Sequence, residues 1–195
     1  MSGSLIQALI FVIDVFAGLY LLLLLLRFLI PWLRIDFRDP LAQGILKLTS
    51  PVVIPVRRFL PAIGRVDTAT IVVAFVIQYL VVMIIFLLVG APVVSALAIA
   101  VESVFRLLGL IVNIFMFGIL LSIILSWIAP NSHNPAVGIV RAIADPVLRP
   151  FRRVIPPMGG FDISPIFALV ALGVVRILLN GMREETLLVV GRLLA

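Results

Sequence analysis

Cysteine is absent from the chain, which excludes a disulfide framework, a thiolate metal site and a cysteine nucleophile. Histidine occurs once, as His133, so it cannot build a metal cluster alone, and its place in a loop makes a Ser-His-Asp arrangement not credible. The phosphate-binding GXXXXGK loop and the HExxH zinc motif are both missing. No catalytic residue, metal or cofactor is expected, and the chain is not read as an enzyme. Charge is scarce as well: Asp, Glu, Lys and Arg make up 12% of 195 residues, against about 25% in ordinary globular chains. A soluble domain needs a polar shell around its core, and there are too few polar residues here to make one.

What is present is apolar. Hydrophobic residues make up 64% of the chain, so much of its surface must face lipid. The net charge of +6 sits largely in short loops beside apolar runs, where anionic headgroups and orientation in the bilayer explain it without nucleic acid. The N-terminal stretch MSGSLIQALIFVIDVFAGLY lacks a basic leader and a small-residue cleavage site, and reads as a retained span.

A helix crossing a roughly 30 Å hydrocarbon core needs about 20 apolar residues. Four stretches qualify: Leu5 to Leu33, Thr68 to Val89, Leu107 to Ile128, and Pro165 to Asn180. Gly90, Ala91 and Pro92 should break the helix after the second. Gly181 should close the fourth in a C′ position. The tail MREETLLVVGRLLA is of interfacial length, too short to span.

One phrase is written twice. SPVVIPVRRFLPAIGRVD, Ser50 to Asp67, returns 95 positions later as DPVLRPFRRVIPPMGGFD, Asp145 to Asp162. The offset holds without a gap from Trp32/Trp127 through Pro40/Pro135 to Asp67/Asp162, so the chain is a tandem duplication. The expected fold is all-α and polytopic: four transmembrane helices in two parallel repeats, residues 1–90 and 91–182, with an interfacial tail at 183–195. Two crossings per repeat place both proline-rich loops on one face. Six basic residues lie in the first loop (Arg34, Arg38, Lys47, Arg57, Arg58, Arg65) and four in the other (Arg141, Arg149, Arg152, Arg153). Opposite stand Arg106, Arg183 and Arg192. The positive-inside rule then puts both loops in the cytoplasm and both termini outside.

Asp39-Pro40 and Asn134-Pro135 read as helix starts, cap then proline at N1. In the second loop Val137, Val140, Ile143 and Ala144 recur at helical spacing, as in an amphipathic surface helix that Pro146 should end. The shared pattern Pro51, Pro55, Arg57, Arg58, Pro61 and Pro146, Pro150, Arg152, Arg153, Pro156 should forbid a long helix and leave single turns joined by rigid corners, a shaped wedge. Gly64 and Gly159 permit the next turn, while Asp67 or Ser164 can cap the returning span, with Pro165 at its N1. The arginine pairs allow two readings: a site for an anionic partner, or topological anchoring with internal pairing to Asp67 or Asp162.

The phrase DPVLRPFRRVIPPMGGFDISP resembles the signature of the YggT family of small membrane proteins, built from two such repeats, and the resemblance covers nearly the whole chain. The second copy matches through Pro146, Pro150, Arg152, Arg153, Pro156, Pro157, Gly159, Asp162, Ser164 and Pro165. The first departs at Ala62 and at Thr68-Ala69-Thr70. The resemblance implies a bacterial inner-membrane protein, with plastid relatives tied to cofactor attachment in the cytochrome bf complex. It also implies bacterial relatives associated with osmotic tolerance and division-gene neighbourhoods, and it supplies no established catalytic residues.

Asp14, Asn113 and Arg176 are polar positions inside or at the edge of spans, where ionisable groups are functional candidates; Asp14 and Arg176 are expected either to meet near the outer side or to snorkel separately to the outer interface. Arg27 should snorkel to the cytoplasmic interface. Glu102 and Arg106 should pair on a helix surface outside the third span. Gln78 can bond across helices, with helix packing the favoured reading, and His133 should be a solvated loop residue. The favoured role is an assembly or docking factor acting through the cytoplasmic Pro-Arg loops; the alternative is a small transport or channel component. Expected partners are anionic lipid headgroups and a membrane or cytoplasmic protein, with homo-oligomers left open and nucleic acid not expected. Reporter fusions at Lys47 and Gly138 are expected to read cytoplasmic and a fusion after Ala195 external; a cytoplasmic C-terminus with both loops inside would refute the four-span count.

Overall fold

An apolar run in lipid has no hydrogen-bond partners beyond its own backbone, so it must close its bonds as a helix. The computed structural model describes residues 2–33, 35–90, 95–130, 132, 134–155 and 162–193. Arg34, Ala91, Pro92, His133, Pro156, Pro157 and Gly159, singled out above, lie outside them, as does the side chain of Arg192. Six helices form among the described residues: α1 (Ser2–Leu29), α2 (Pro40–Arg57), α3 (Thr68–Val89), α4 (Ala96–Ile128), α5 (Pro135–Val154) and α6 (Ser164–Leu193). α1, α3, α4 and α6 are long and apolar enough to cross a membrane. Phe11, Phe16, Leu87, Phe117 and Ile177 stand exposed on them, as lipid-facing residues should. The protein is an all-α polytopic membrane protein of two tandem halves.

The duplication is visible in the packing. Leu24, Val53 and Val73 form the core where α1, α2 and α3 meet. Their counterparts 95 residues on, Ile119, Leu148 and Ala168, form the core where α4, α5 and α6 meet. A third cluster joins the halves, with Leu25 and Leu29 of α1 against Ile114 of α4 and Ile143 of α5. α2 also touches α5, so both amphipathic helices lie at one end of the bundle, here called the loop face; the other is the distal face. Lipid gives helices no hydrophobic reason to associate, so close packing must hold them. Small residues supply it: Ala69, Ala74, Ala144 and Ala168 are fully or almost fully buried.

Several local expectations hold. The Asp39 carboxylate accepts the N–H of Leu41 at 2.8 Å with Pro40 at N1, and Asn134 accepts the N–H of Ala136 at 2.9 Å with Pro135 at N1. Gly90 closes α3 at φ +67°, and Gly64 turns the chain at φ +60°, both in the left-handed region that favours glycine.

Others are overturned. Pro51 and Pro55 lie inside α2, and Pro146 and Pro150 inside α5; Pro146 does not end the helix, and the single turns with rigid corners do not form. Spaced four apart, each pair occupies one exposed face. A proline forfeits the bond to the carbonyl four residues back. The carbonyls so freed, on Lys47, Pro51, Ala142 and Pro146, sit along that outward side, where water and headgroups can bond them. The inward faces, Ala42, Thr49 and Val53 in α2 and Val137, Ile143, Ala144 and Leu148 in α5, are buried against the spans and hold both helices in place. α1 ends at Leu29, with turns continuing to Leu33. α4 starts at Ala96, eleven residues before Leu107, capped by Ser95 Oγ on the Ala98 N–H at 3.1 Å. α6 runs through Gly181 to Leu193, so the tail begins as a continuation of the fourth span's helix. Ser164 is the first residue of α6 rather than its cap; Asp162 accepts its N–H at 2.9 Å.

Gly118 lets α5 approach α4. A Cβ there would stand 2.6 Å from Ile143 Cγ2, and Ile143 is buried. Gly118→Ala is expected to cost about 1–3 kcal/mol through overpacking, read as a lower thermal midpoint in detergent. Adding Ile143→Ala, which removes the colliding methyl, should recover part of the loss; no recovery would place the defect elsewhere.

Candidate functional site

Two polar centres stand at opposite ends of the bundle. At the loop face, α1 carries Arg27 inward, 4% exposed. Its Nη1 donates to Thr49 Oγ1 at 2.8 Å, to Ser50 Oγ at 3.1 Å and to the Leu46 carbonyl at 3.3 Å, all on α2. Its Nε faces Asp67 Oδ2 at 3.7 Å without a hydrogen bond. Arg27 therefore does not snorkel. Lipid is a poor solvent for a guanidinium, and a built-in set of acceptors replaces the headgroups.

Asp67 is the hub. Its Oδ2 accepts from Arg57 Nη2 and from Thr70 Oγ1 at 2.7 Å, and its Oδ1 caps α3 through the Thr70 N–H at 3.4 Å. One carboxylate thus ties together the end of α1, the end of α2 and the start of α3. Burial alone would push this carboxyl up; hydrogen bonds from Thr70 and Arg57 and the Arg57 charge outweigh it and hold Asp67 below the ordinary 3.8.

The second repeat keeps only part of this arrangement. Arg152 Nε donates to Asp162 Oδ2 at 2.8 Å, as Arg57 does to Asp67. In the positions equivalent to Arg27, Thr49 and Ser50 stand Ser122, Ala144 and Asp145. Arg152 therefore reaches Asp145 as well, at 3.2 Å, and Arg149 lies 3.7 Å from it. A cleft of about 900 Å³ opens beside Ser122, Ser126 and Trp127. Burial raises Asp162, but the bonds from Arg152 and Ser164 win and keep it lowered. Arg141, equivalent to Leu46, donates to the Pro130 carbonyl at 2.9 Å beyond the end of α4.

Arg58 and Arg153 differ from their neighbours. Both are exposed, and among the described residues neither has an ion-pair or hydrogen-bond partner. Pro61 lies beyond α2, where its carbonyl accepts from Thr68 Oγ1 at 2.8 Å.

At the distal face Asp14, Asn113 and Arg176 line one cavity of about 610 Å³ between the repeats, with Gln78, Arg106 and Arg183. Glu102, 3% exposed, accepts from Arg106 Nε at 2.8 Å and from Arg183 Nε of α6 at 2.5 Å. The expected surface pair is thus a buried link between α4 and α6. Asp14 accepts from Arg106 at 3.3 Å and not from Arg176, so the expected Asp14–Arg176 pair does not form. Arg106 comes from the next repeat and wins because it sits at the depth of Asp14, where Arg176 lies deeper. Gln78 makes no bond across helices; it is 5% exposed and has no partner among the described residues. No three potential metal ligands group together among the described residues.

Removing the Asp67 charge strands a buried guanidinium, so Asp67→Asn is expected to cost about 3–5 kcal/mol. Breaking the exposed Arg152 pair with Arg152→Gln should cost about 0–1 kcal/mol. Because the folded pKa of Asp67 is depressed, its contribution is complete above the unfolded pKa and is lost as pH falls through the folded value. Thermal midpoints in detergent should therefore stay level with respect to this group above about pH 5 and fall at lower pH. The low-pH loss should shrink in Asp67→Asn, and an equal loss in both proteins would assign it to other carboxylates.

Comparison with known proteins follows the duplication. A family model for CCB3/YggT matches residues 6–88 and again 101–183. An uncharacterised protein of Pseudomonas aeruginosa is 39% identical over 92% of both chains. The uncharacterised protein YggT of Escherichia coli K12 is 33% identical over 85% of both. The uncharacterised protein ycf19 of Porphyra purpurea is 37% identical over 84 residues, 88% of its own length and 41% of this chain, so it corresponds to a single repeat. No solved structure matches. With its two repeats each matched by the family model, the chain belongs to the CCB3/YggT family.

Proposed function

We propose that the protein is a non-enzymatic docking or assembly factor of the bacterial inner membrane, with the loop face in the cytoplasm and both termini outside. The observation that carries this reading is a repeated exposed doublet. Arg58-Phe59 and Arg153-Val154 are 95 positions apart, and Phe59 and Val154 are 84% and 80% exposed. Their neighbours Arg57 and Arg152 are committed to Asp67 and Asp162. Each repeat therefore spends one arginine on its own rigidity and presents the other, beside an apolar side chain, at the end of a braced helix. An unpaired guanidinium next to exposed apolar surface fits an acidic protein segment or an anionic headgroup. The excess of basic residues on this face supports the cytoplasmic assignment.

A second reading, a small transport component, draws on the distal cavity. Leu21, Gln78, Asn113 and Arg176 form its floor, and the apolar clusters around Leu24, Leu25 and Ile114 lie beyond. A cavity stopped by packed leucines is a vestibule rather than a pore, so docking is the better supported role.

Photo-crosslinking residues at Phe59 and Val154 in membranes should capture a protein partner. Arg58→Gln with Arg153→Gln should reduce that capture about tenfold or more, the effect of losing a bond to a charged group worth about 1.5–3 kcal/mol, at equal membrane abundance. Lys47→Gln should leave capture unchanged. Equal capture by the double variant would end the docking reading, and solute flux through purified proteoliposomes would favour transport.

A further inference from the structure

The distal cavity is divided by depth. Near its mouth the charges satisfy one another, Glu102 with Arg106 and Arg183, and Arg106 with Asp14. About 10 Å deeper by helical rise, the floor holds three polar side chains with atoms that have no partner among the described residues. Arg176 has no ion-pair or hydrogen-bond partner among the described residues. Gln78, 5% exposed, lines the cavity with its amide unpartnered, and Asn113 has a buried Oδ1 without a partner. Gln78 and the Asn113 Oδ1 are buried, and burying such groups unmet is costly; Arg176 is exposed and brings a free guanidinium to the same cavity. Three guanidiniums, Arg106, Arg176 and Arg183, stand against two carboxylates, Asp14 and Glu102, an excess of one positive charge.

We propose that this cavity is a binding site for a singly charged phosphate group, held on the floor by Arg176 with the Gln78 and Asn113 amides. A guanidinium binds phosphate oxygens in a fork and is the one side chain that brings a full charge to the floor. The amide nitrogens of Gln78 and Asn113 are neutral donors of the kind that fix orientation and leave the charge balance alone, while the unpartnered Asn113 Oδ1 is an acceptor that a protonated phosphate oxygen of the inorganic monoanion or a hydroxyl of a lipid headgroup can meet. One negative charge cancels the excess, which matches the phosphodiester of a lipid headgroup or the monoanion of inorganic phosphate. The volume of about 610 Å³ falls within the about 300–1,000 Å³ of small-ligand sites. This site is at the opposite end of the bundle from Arg58 and Arg153 and does not depend on the docking reading.

The purified full-length protein in detergent is titrated with dihexanoyl phosphatidylglycerol in one arm and inorganic phosphate in the other, with the thermal midpoint as readout. Saturable stabilisation in either arm, weakened at least tenfold by Arg176→Gln and retained in the Arg58→Gln, Arg153→Gln double variant, is the expected result. Response to the lipid alone assigns the headgroup as source; response to both assigns the phosphate group itself. Because Arg176 has no internal partner, Arg176→Gln should unfold at the wild-type midpoint without ligand. Gln78→Leu gives an independent test should that variant not accumulate, with affinity several-fold weaker. No saturable shift in either arm, an unaffected Arg176→Gln, or loss of binding in the loop-face double variant would each overturn the proposal.

Discussion

The structure depends on keeping one buried guanidinium charged at the edge of the lipid. Arg27 cannot be left alone there, since an unpaired buried ion costs several kcal/mol. The acceptors that surround it dictate much of the first repeat: Thr49 and Ser50 fix the rotation of α2, the Leu46 carbonyl fixes its height, and Asp67 fixes where α3 begins. Prolines inside α2 then become tolerable, because the helix is held from its inner face by hydrogen bonds and packing rather than by its own ladder alone. The repeated phrase that looks like a set of corners is better understood as two braced helical struts.

The two halves share a scaffold and diverge in electrostatics. Their cores superimpose in sequence register, Leu24 with Ile119, Val53 with Leu148 and Val73 with Ala168, and each ends its strut with an arginine locked to the aspartate before the next span. Only the first adds a buried charge from its opening span to the loop-face centre. The second substitutes Ser122 for Arg27 and places an acid, Asp145, on the strut, which turns a closed polar core into an open cleft. A relative of single-repeat length would present the same arrangement in every copy; duplication within one chain removes that constraint.

Much of the fold was legible because it rests on signals that survive in a greasy sequence: run length, capping pairs such as Asp39-Pro40, left-handed glycines and an ungapped offset. The errors have physical causes. In LYLLLLLLRFLI every neighbour is apolar, so no stripe shows that Arg27 shares the inner face with Leu21 and Leu24; the three-residue spacing 21, 24, 27 was the available clue. Glu102 and Arg106 looked interfacial because charges mark span ends, and their burial needs Arg183, which is 81 residues beyond Glu102 and silent in local pattern. Proline rules failed because they weigh the missing backbone bond and not the tertiary packing that offsets it. Of the candidate site, Asp14, Asn113 and Arg176 were found singly by polarity, while their gathering into one cavity required the geometry between repeats.

The spanning helices are unequal in height. α4 has 33 residues and α6 has 30, against 28 in α1 and 22 in α3; at 1.5 Å per residue α4 measures about 50 Å and α3 about 33 Å. Only the shorter matches a hydrocarbon slab of about 30 Å, so the second repeat must lean, project beyond the bilayer or deform the lipid around it. Any such adjustment acts on the mouth of the distal cavity, because Glu102 on α4 and Arg183 on α6 rim it and are bonded to each other, which ties the two longest spans together at that end.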